Sequence, residues 1–358
     1  MSEEPVYPAD WCYAASAFAV LFCIFGVSGN LLTIIALLKC ERLRKHATTS
    51  FLLSLTFSDF LFCAIMMPMQ AVRYYYQAWT FGDFLCQIFP FVFYSNVCIS
   101  MLSMILMTIN RYILITFQHL YPKIYTTKLI IIQLFCAWFI AFLIMFFPLS
   151  GLWGELGHEP KTFSCTILKK DGKSPKTFIF LVGFLLPCFI IILSYSCIFN
   201  TVRKQHAKLN KFDTTSPNKS KLKFFRNKND LRLTIMMLVI FLCFIMCFLP
   251  LMLVNVFDEK DMKYPAFHVM ASVAAWSSAV INPIIYAVGS SQYRNAYKNL
   301  FVKIKTWKSS NSSGNNNNNK NLHISRSHTA DPSSIIQNIN IKIPGEGIKP
   351  SSSCLEVT

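Results

Sequence analysis

Apolar residues in this chain come in seven long runs, at 14–38, 51–72, 84–109, 129–154, 177–202, 233–257 and 264–292. Each run is at least 22 residues long, and a helix needs about 20 apolar residues to cross roughly 30 Å of hydrocarbon. Six contain no Asp, Glu, Lys or Arg, and the second contains only Asp59. One or two such runs fit buried helices of a large soluble protein; seven in succession argue for a bilayer. A membrane β-barrel would need alternating strands of about 10 residues. These runs are too long and too uniformly apolar for that. In lipid every backbone N–H and C=O must be paired within the chain, so the runs predict helices. The expected fold is all-α, a seven-transmembrane helix bundle.

Composition agrees. Hydrophobic residues make up 54% of the 358, charged residues only 14%, and Phe alone numbers 33, against about 25% charged in soluble domains. An ordinary cytosolic enzyme is disfavoured, and a wholly disordered chain is excluded. Residues 1–13 carry Glu3, Glu4 and Asp10 without Lys or Arg. A cleaved secretory leader would have a basic start and a shorter apolar stretch, so the first run reads as a span preceded by an extracellular N-terminus. With that end outside, the inner segments 39–50, 110–128, 203–232 and 293–358 hold 26 of the 34 Lys and Arg. This asymmetry favours an extracellular N-terminus and a cytoplasmic C-terminus in the cell membrane. The five Lys of the loop 152–176 weaken the rule locally. The net charge of +17 is then a cytoplasmic face beside anionic lipid, and no nucleic acid is needed to explain it.

The remaining pieces divide the chain further. Residues 14–292 form the seven-span domain. In 293–305 the apolar Tyr293, Ala296, Tyr297, Leu300, Phe301 and Ile304 recur on one helical face, which predicts a short amphipathic eighth helix on the inner leaflet. No Cys follows it directly. The tail 306–358, with Asn315–Asn319 and many Ser, is expected to be disordered. Residues 214–229 read as a basic loop or a helix extension. Glycosylation patterns at Asn218 and Asn311 fall on the inner side and are discounted. No internal repeat is visible, which counts against duplicated transporters, and no His/Cys cluster has metal spacing.

Residues inside the runs narrow the class. Gly29-Asn30 lies in the first, Leu55-x-x-Ser58-Asp59 in the second, and Asn110-Arg111-Tyr112 closes the third, with Arg111 25 residues after Cys86. Trp138 is in the fourth, Pro187 and Tyr195 in the fifth, Phe244-x-x-Cys247-Phe248-Leu249-Pro250 in the sixth, and Asn282-Pro283-Ile284-Ile285-Tyr286 in the seventh. In order and spacing the chain resembles the rhodopsin-like G-protein-coupled receptors over roughly residues 14–305. Asn110 stands where Asp is usual and Phe248 where Trp is usual. Asn-Arg-Tyr makes the chain similar to the melatonin-receptor and trapped-in-endoderm type orphan group.

The resemblance implies roles for particular residues. Asp59, with Asn96, Ser100, Ser278 and Asn282, would hold an allosteric Na⁺, a hard cation suited to oxygen ligands; a water-filled polar cluster is the alternative. A carboxylate within a span is expensive and functional by default. Arg111 would pair with Asp230 to hold spans three and six shut, then meet Tyr195 and a G protein once they part, as Tyr286 swings inward; a snorkelling interfacial arginine is the alternative. Asn110 removes the neighbouring carboxylate and predicts weaker restraint. Tyr112, Phe244, Phe248, Pro250 and Pro283 complete the implied switch, the prolines as kinks. The resemblance joins Cys86 to Cys165 in a disulfide, with Cys12–Cys165 as an alternative. Tail residues such as Ser325, Ser327 and Thr329 would be receptor-kinase sites that recruit arrestin.

For the ligand, the matching positions are Gln70, Phe93, Tyr94, Val97, Ile179, Phe180, Gly183, Leu251, Met252, Asn255, His268, Ser272 and Trp276. Amine receptors carry Asp where Phe93 sits, and opsins carry Lys where Trp276 sits, so both classes are disfavoured. The set is mostly apolar and aromatic, with Asn255, His268 and Gln70 as polar handles, and suits a hydrophobic small molecule or a lipid. For any one aromatic, plain helix packing is the competing reading. The expected function is a receptor for an extracellular ligand that activates heterotrimeric G proteins by opening span six. A seven-span transporter or membrane enzyme is the alternative. It has thin support, since His268 and Asp59 are the only His and acidic residues within the runs.

Overall fold

The computed structural model describes residues 7–44, 46–212, 217–257, 263–300 and 302. Seven helices among these are long and apolar enough to cross a membrane. They are α1 (Ala9–Lys39), α2 (Ala47–Tyr76), α3 (Gly82–Thr116), α4 (Thr127–Leu149), α5 (Lys176–Gln205), α6 (Pro217–Phe257) and α7 (Pro265–Gly289). Each lies on one predicted run, with α4 ending at Leu149, five residues before the run does, and α7 at Gly289, three before. The first starts earlier than predicted, at Ala9, following Pro8 in extended conformation. Part of the 214–229 segment continues α6 from Pro217, so the helix-extension reading holds there. α2 stops at Gln77, whose left-handed φ of 50° cannot propagate a helix. α7 opens on Pro265, where a missing N–H costs nothing.

Burial is arranged for lipid. Phe25, Phe135, Phe189 and Met246 lie exposed on the outside of the bundle, while Asn30, Ser58, Asp59, Asn110 and Arg111 are buried inside it. α4 buries only Ala137, Ala141, Met145 and Pro148, a narrow stripe at helical spacing. Close helix contact depends on small residues: a Cβ at Gly26 would collide with Cys63 Sγ, so α1 meets α2 almost backbone to side chain. Nearby, α2 widens into a π turn at Phe62–Met66, and α5 does the same at Leu181–Leu185.

A few polar side chains tie the helices together. Trp138 Nε1 of α4 donates to Ser54 Oγ of α2 at 2.9 Å, and Ser54 and Ser103 of α3 share a 3.2 Å bond. Pro283 cannot donate to the carbonyl of Ala279 one turn earlier. Asn30 Nδ2 of α1 fills that place, donating to Ala279 O at 2.9 Å and to Gly26 O at 2.9 Å. The kink in α7 is thus satisfied by the motif asparagine of α1.

One departure from an all-helical chain is the loop between α4 and α5. Strands β1 (Glu155–Glu159) and β2 (Ser164–Leu168) pair antiparallel, with Glu155 opposite Leu168 and His158 opposite Cys165. The turn between them places Phe163 at a φ of 40°. A disulfide joins Cys165 to Cys86 at the start of α3, and Cys12 is a separate buried thiol. The pairing implied by the resemblance therefore holds and Cys12–Cys165 does not. The bridge pins the hairpin over one end of the bundle, and Leu156 and Ile167 pack on Met145.

After Ser290 the chain is helical again over 291–300, here α8. Tyr293, Ala296 and Leu300 are buried, as the predicted face requires. Arg294 donates to Ala287 O at 3.2 Å and Val288 O at 2.8 Å, carbonyls that the end of α7 leaves unpaired. Phe301, Ile304 and the predicted tail 306–358 with Ser325, Ser327 and Thr329 lie outside the described residues.

The Gly26–Cys63 approach makes a stability prediction. Gly26→Ala should lower the unfolding temperature of the purified protein, by an overpacking cost of about 1–3 kcal/mol. Adding Cys63→Ala should recover part of the loss. A thermal unfolding series with the single and double variants checks it.

Candidate functional site

The tops of α2, α3, α6 and α7, roofed by the hairpin, enclose a cavity of about 520 Å³. Of the predicted ligand residues, Gln70, Phe93, Tyr94, Leu251, His268, Ser272 and Trp276 line it. A smaller chamber of about 60 Å³ shares Tyr94, Ile167 and Lys176 with it and is lined by Val97, Ile179, Phe180, Gly183 and Met252. The side chain of Asn255 lies outside the described residues.

The lining is less apolar than the sequence led us to expect. Arg73, Glu159, Lys161, Lys169 and Lys176 also face the large cavity. The hairpin is the reason: it folds back over the bundle and brings loop charges, expected in outer solvent, against the helix ends. Arg73 follows Gln70 by three residues and belongs on the same helical face, so helical spacing was the signal that could have found it. Its side chain is only 4% exposed. The guanidinium carbon sits 4.3 Å from the Tyr74 ring centre and 5.8 Å from that of Phe163, within cation–π range. Tyr7 closes the cavity from the chain's N-terminal side, packing edge-on against Phe163 at 5.5 Å and lying 6.5 Å from His268. Burial drives the Tyr7 phenol far above its ordinary pKa, with the Arg73 charge opposing the rise.

Below the cavity lies a buried polar cluster. Asn282 Nδ2 of α7 donates to Asp59 Oδ2 of α2 at 2.7 Å. Asn96 Nδ2 of α3 donates to Ser58 O at 2.8 Å and Ser58 Oγ at 2.7 Å. Ser100 is buried, and the Ser278 hydroxyl donates to Ala275 O of its own helix at 2.8 Å. Of the four residues that the resemblance gathers around Asp59, Asn282 alone hydrogen-bonds it. Asn96 spends its donors on the residue before Asp59.

The end of the bundle opposite the hairpin holds Arg111, only 3% exposed. Its Nη1 lies 3.9 Å from Asp230 Oδ1 of α6, a loose ion pair with a carboxylate that is 35% exposed. Tyr293, Tyr121 and Tyr195 also lie near its charge, and its Nε finds no partner. Burial pushes the Tyr293 phenol up to about 12, with Arg111 opposing. Asn110 points elsewhere: its Oδ1 accepts from Thr48 Oγ1 of α2 at 2.7 Å and its Nδ2 donates to Tyr121 OH at 3.3 Å. These two bonds were not legible from the motif. Tyr112 packs edge-on against Phe117 at 5.7 Å.

In α6 the rings of Phe244 and Phe248 stack at 4.4 Å, both buried, one turn before the Pro250 break. The Tyr195 and Tyr286 hydroxyls are buried without a partner in good hydrogen-bond geometry. They are phenols available for new bonds if the helices move.

Residues 29–286 match the family "7 transmembrane receptor (rhodopsin family)". The chain is similar to protein trapped in endoderm-1 of Drosophila melanogaster, 47% identical over 320 residues, 86% of this chain and 82% of that protein. It is also similar to the G-protein coupled receptor moody of Drosophila melanogaster, 32% identical over 80% of this chain but spanning 51% of moody's length. Squid rhodopsin shares the fold, with a TM-score of 0.74 and 23% identity over 84% of this chain and 88% of that structure. Family match and membrane-spanning bundle together make this a multi-pass membrane protein that acts as a receptor and not as an enzyme. The chain belongs to the rhodopsin family of G-protein-coupled receptors.

Proposed function

We propose that the hairpin end faces outside the cell, that an apolar small molecule or lipid enters the cavity there, and that its binding opens α6 at the opposite, cytoplasmic end. The observation that carries this reading is the partly open cavity of about 520 Å³ stacked, through the Asp59 cluster, above the Arg111–Asp230 pair. Both ends touch α6: Leu251 lines the cavity and Asp230 meets Arg111. Pro250 and the Phe244–Phe248 stack lie between them. A ligand that favours a different packing of this hinge shifts the balance between two states by its differential affinity for them.

The latch is weak by construction. A pair at 3.9 Å with a half-exposed partner holds less than a buried bidentate one, and Asn110 adds no charge beside it. On opening, Arg111 would be freed for the Tyr195 phenol and a G protein, with Tyr286 turning inward. Receptor kinases and arrestin would act on the tail.

Guanine-nucleotide exchange on membranes carrying receptor and heterotrimeric G protein tests the coupling. Receptor-dependent exchange is expected, with its loss in Arg111→Ala. Asn110→Asp can still accept from Thr48 and adds a negative charge at the residue preceding Arg111, so it should lower basal exchange about fivefold, the effect of about 1 kcal/mol. Unchanged basal exchange in Asn110→Asp would contradict the weak-latch account.

Asp59 and its neighbours are proposed to bind Na⁺ in the closed state. Replacing sodium by N-methylglucamine at constant ionic strength should raise basal exchange in the wild type and leave Asp59→Asn unaffected. A wild type indifferent to sodium sinks this assignment.

A further inference from the structure

The large cavity contains one group that the rest of the protein leaves unused. Arg73 is buried to 96%, with its guanidinium carbon 4.3 Å from the Tyr74 ring centre and 5.8 Å from that of Phe163, and yet makes no side-chain hydrogen bond or ion pair among the described residues. A guanidinium carries five N–H donors and keeps its charge. Where an arginine serves only as a strut, its donors are filled by backbone carbonyls or a carboxylate, since a buried charge without a partner is costly. Here two aromatic rings set at right angles to each other flank the guanidinium, and its Nε is left without an acceptor beside the cavity.

The surroundings agree in sign. Among the described residues, Arg73, Lys161, Lys169 and Lys176 line the cavity with one carboxylate, Glu159. Glu159 makes no ion pair with Arg73. One turn before Arg73, the buried Oε1 of Gln70 has no donor. Next to this charged half lies the smaller chamber of Val97, Ile144, Ile179, Phe180 and Met252, reached past Tyr94, Ile167 and Lys176, which both cavities share. A charged compartment and an apolar one therefore adjoin.

We infer that the ligand is an anionic amphiphile. Its carboxylate or phosphate monoester sits on Arg73, and its apolar chain lies along the large cavity of about 520 Å³, directed past Tyr94 toward the chamber between α3, α4, α5 and α6, whose volume of about 60 Å³ takes only a few methylenes. A planar fork is suited to two oxygens of either acid group. A hydroxyl close to that group would also supply the donor Gln70 lacks. This reading deepens the proposed receptor function and rests on the same cavity. It narrows the hydrophobic small molecule or lipid that the helix positions alone suggested to one whose acid group is required for binding.

The test uses full-length receptor in phosphatidylcholine nanodiscs and three radiolabelled C18 probes: oleate, oleoyl lysophosphatidate and uncharged monoolein. Saturable binding of at least one anionic probe is expected, with monoolein binding roughly thirtyfold more weakly or not at all. Oleate against lysophosphatidate tells carboxylate from phosphate. In Arg73→Gln the anionic probe should lose roughly thirtyfold or more in affinity, as for truncation of one partner of a buried charge pair, and Arg73→Lys should retain part of it. Unfolding temperatures without ligand show whether Arg73→Gln folds. If it does not, the charged-against-uncharged comparison on wild type decides alone. Equal binding of monoolein, no saturable binding of either anion, or undiminished anion binding by folded Arg73→Gln would overturn the inference. Nucleotide exchange is measured in parallel. Arg73-dependent binding without accelerated exchange would retain the site and refute the signalling role, whereas exchange driven by monoolein would retain the receptor and refute the anionic ligand.

Discussion

Hydrocarbon offers no hydrogen-bond partner, and that absence organises this molecule. Helices satisfy their own backbones wherever the sequence permits. Where it does not, the exception must be answered from a neighbouring helix. Pro283 frees the carbonyl of Ala279, and Asn30 of α1 answers it while Gly29 lets α1 approach Pro283. The same requirement places Trp138, Ser54 and Ser103 in one chain of bonds across α4, α2 and α3. Each polar contact is thus a specific joint between two helices, and the polar residues not used as joints stand out.

Two such residues are arginines, one near each end of the bundle. Arg111 is paired loosely with Asp230 and surrounded by tyrosines. Arg73 is stacked on aromatic rings and otherwise unanswered. Neither arrangement is a stable resting place for a charge. Both become reasonable if each guanidinium meets its partner only part of the time, Arg73 when a ligand is present and Arg111 in whichever of two states the bundle adopts. α6 is the element that touches both regions, and the proline break at Pro250 gives it a place to bend.

The seven spans were legible because a transmembrane helix is specified locally, by an apolar run long enough to cross lipid. The buried face of α8 was legible from its helical periodicity, and the Cys86–Cys165 bridge and the positions of Arg111 and Asp230 through the resemblance, which carries spacing and topology together. The charged lining of the cavity was not. It depends on a hairpin folding back over helix ends some 80 residues away in sequence, a long-range event with no local signal. Arg73 was counted with the outer surface because it follows the second apolar run, although the helix simply continues through it to Tyr76. The π turns in α2 and α5 and the bonds of Asn110 to Thr48 and Tyr121 likewise depend on neighbours that no single stretch reveals. Around Asp59, Asn282 donates to the carboxylate, while Asn96 and Ser278 direct their donors to nearer acceptors.

The central claim is that α6 separates from α3 at the Arg111 end when the receptor engages its G protein. The direct measurement is the distance between spin labels at Lys123, beside the end of α3, and Arg232 on α6, both exposed positions, in a background cleared of reactive cysteines. The account predicts a distance distribution that lengthens when nucleotide-free G protein binds, with Asn110→Asp shifting the unbound receptor toward the shorter population. A distribution that stays the same with and without bound G protein would contradict it.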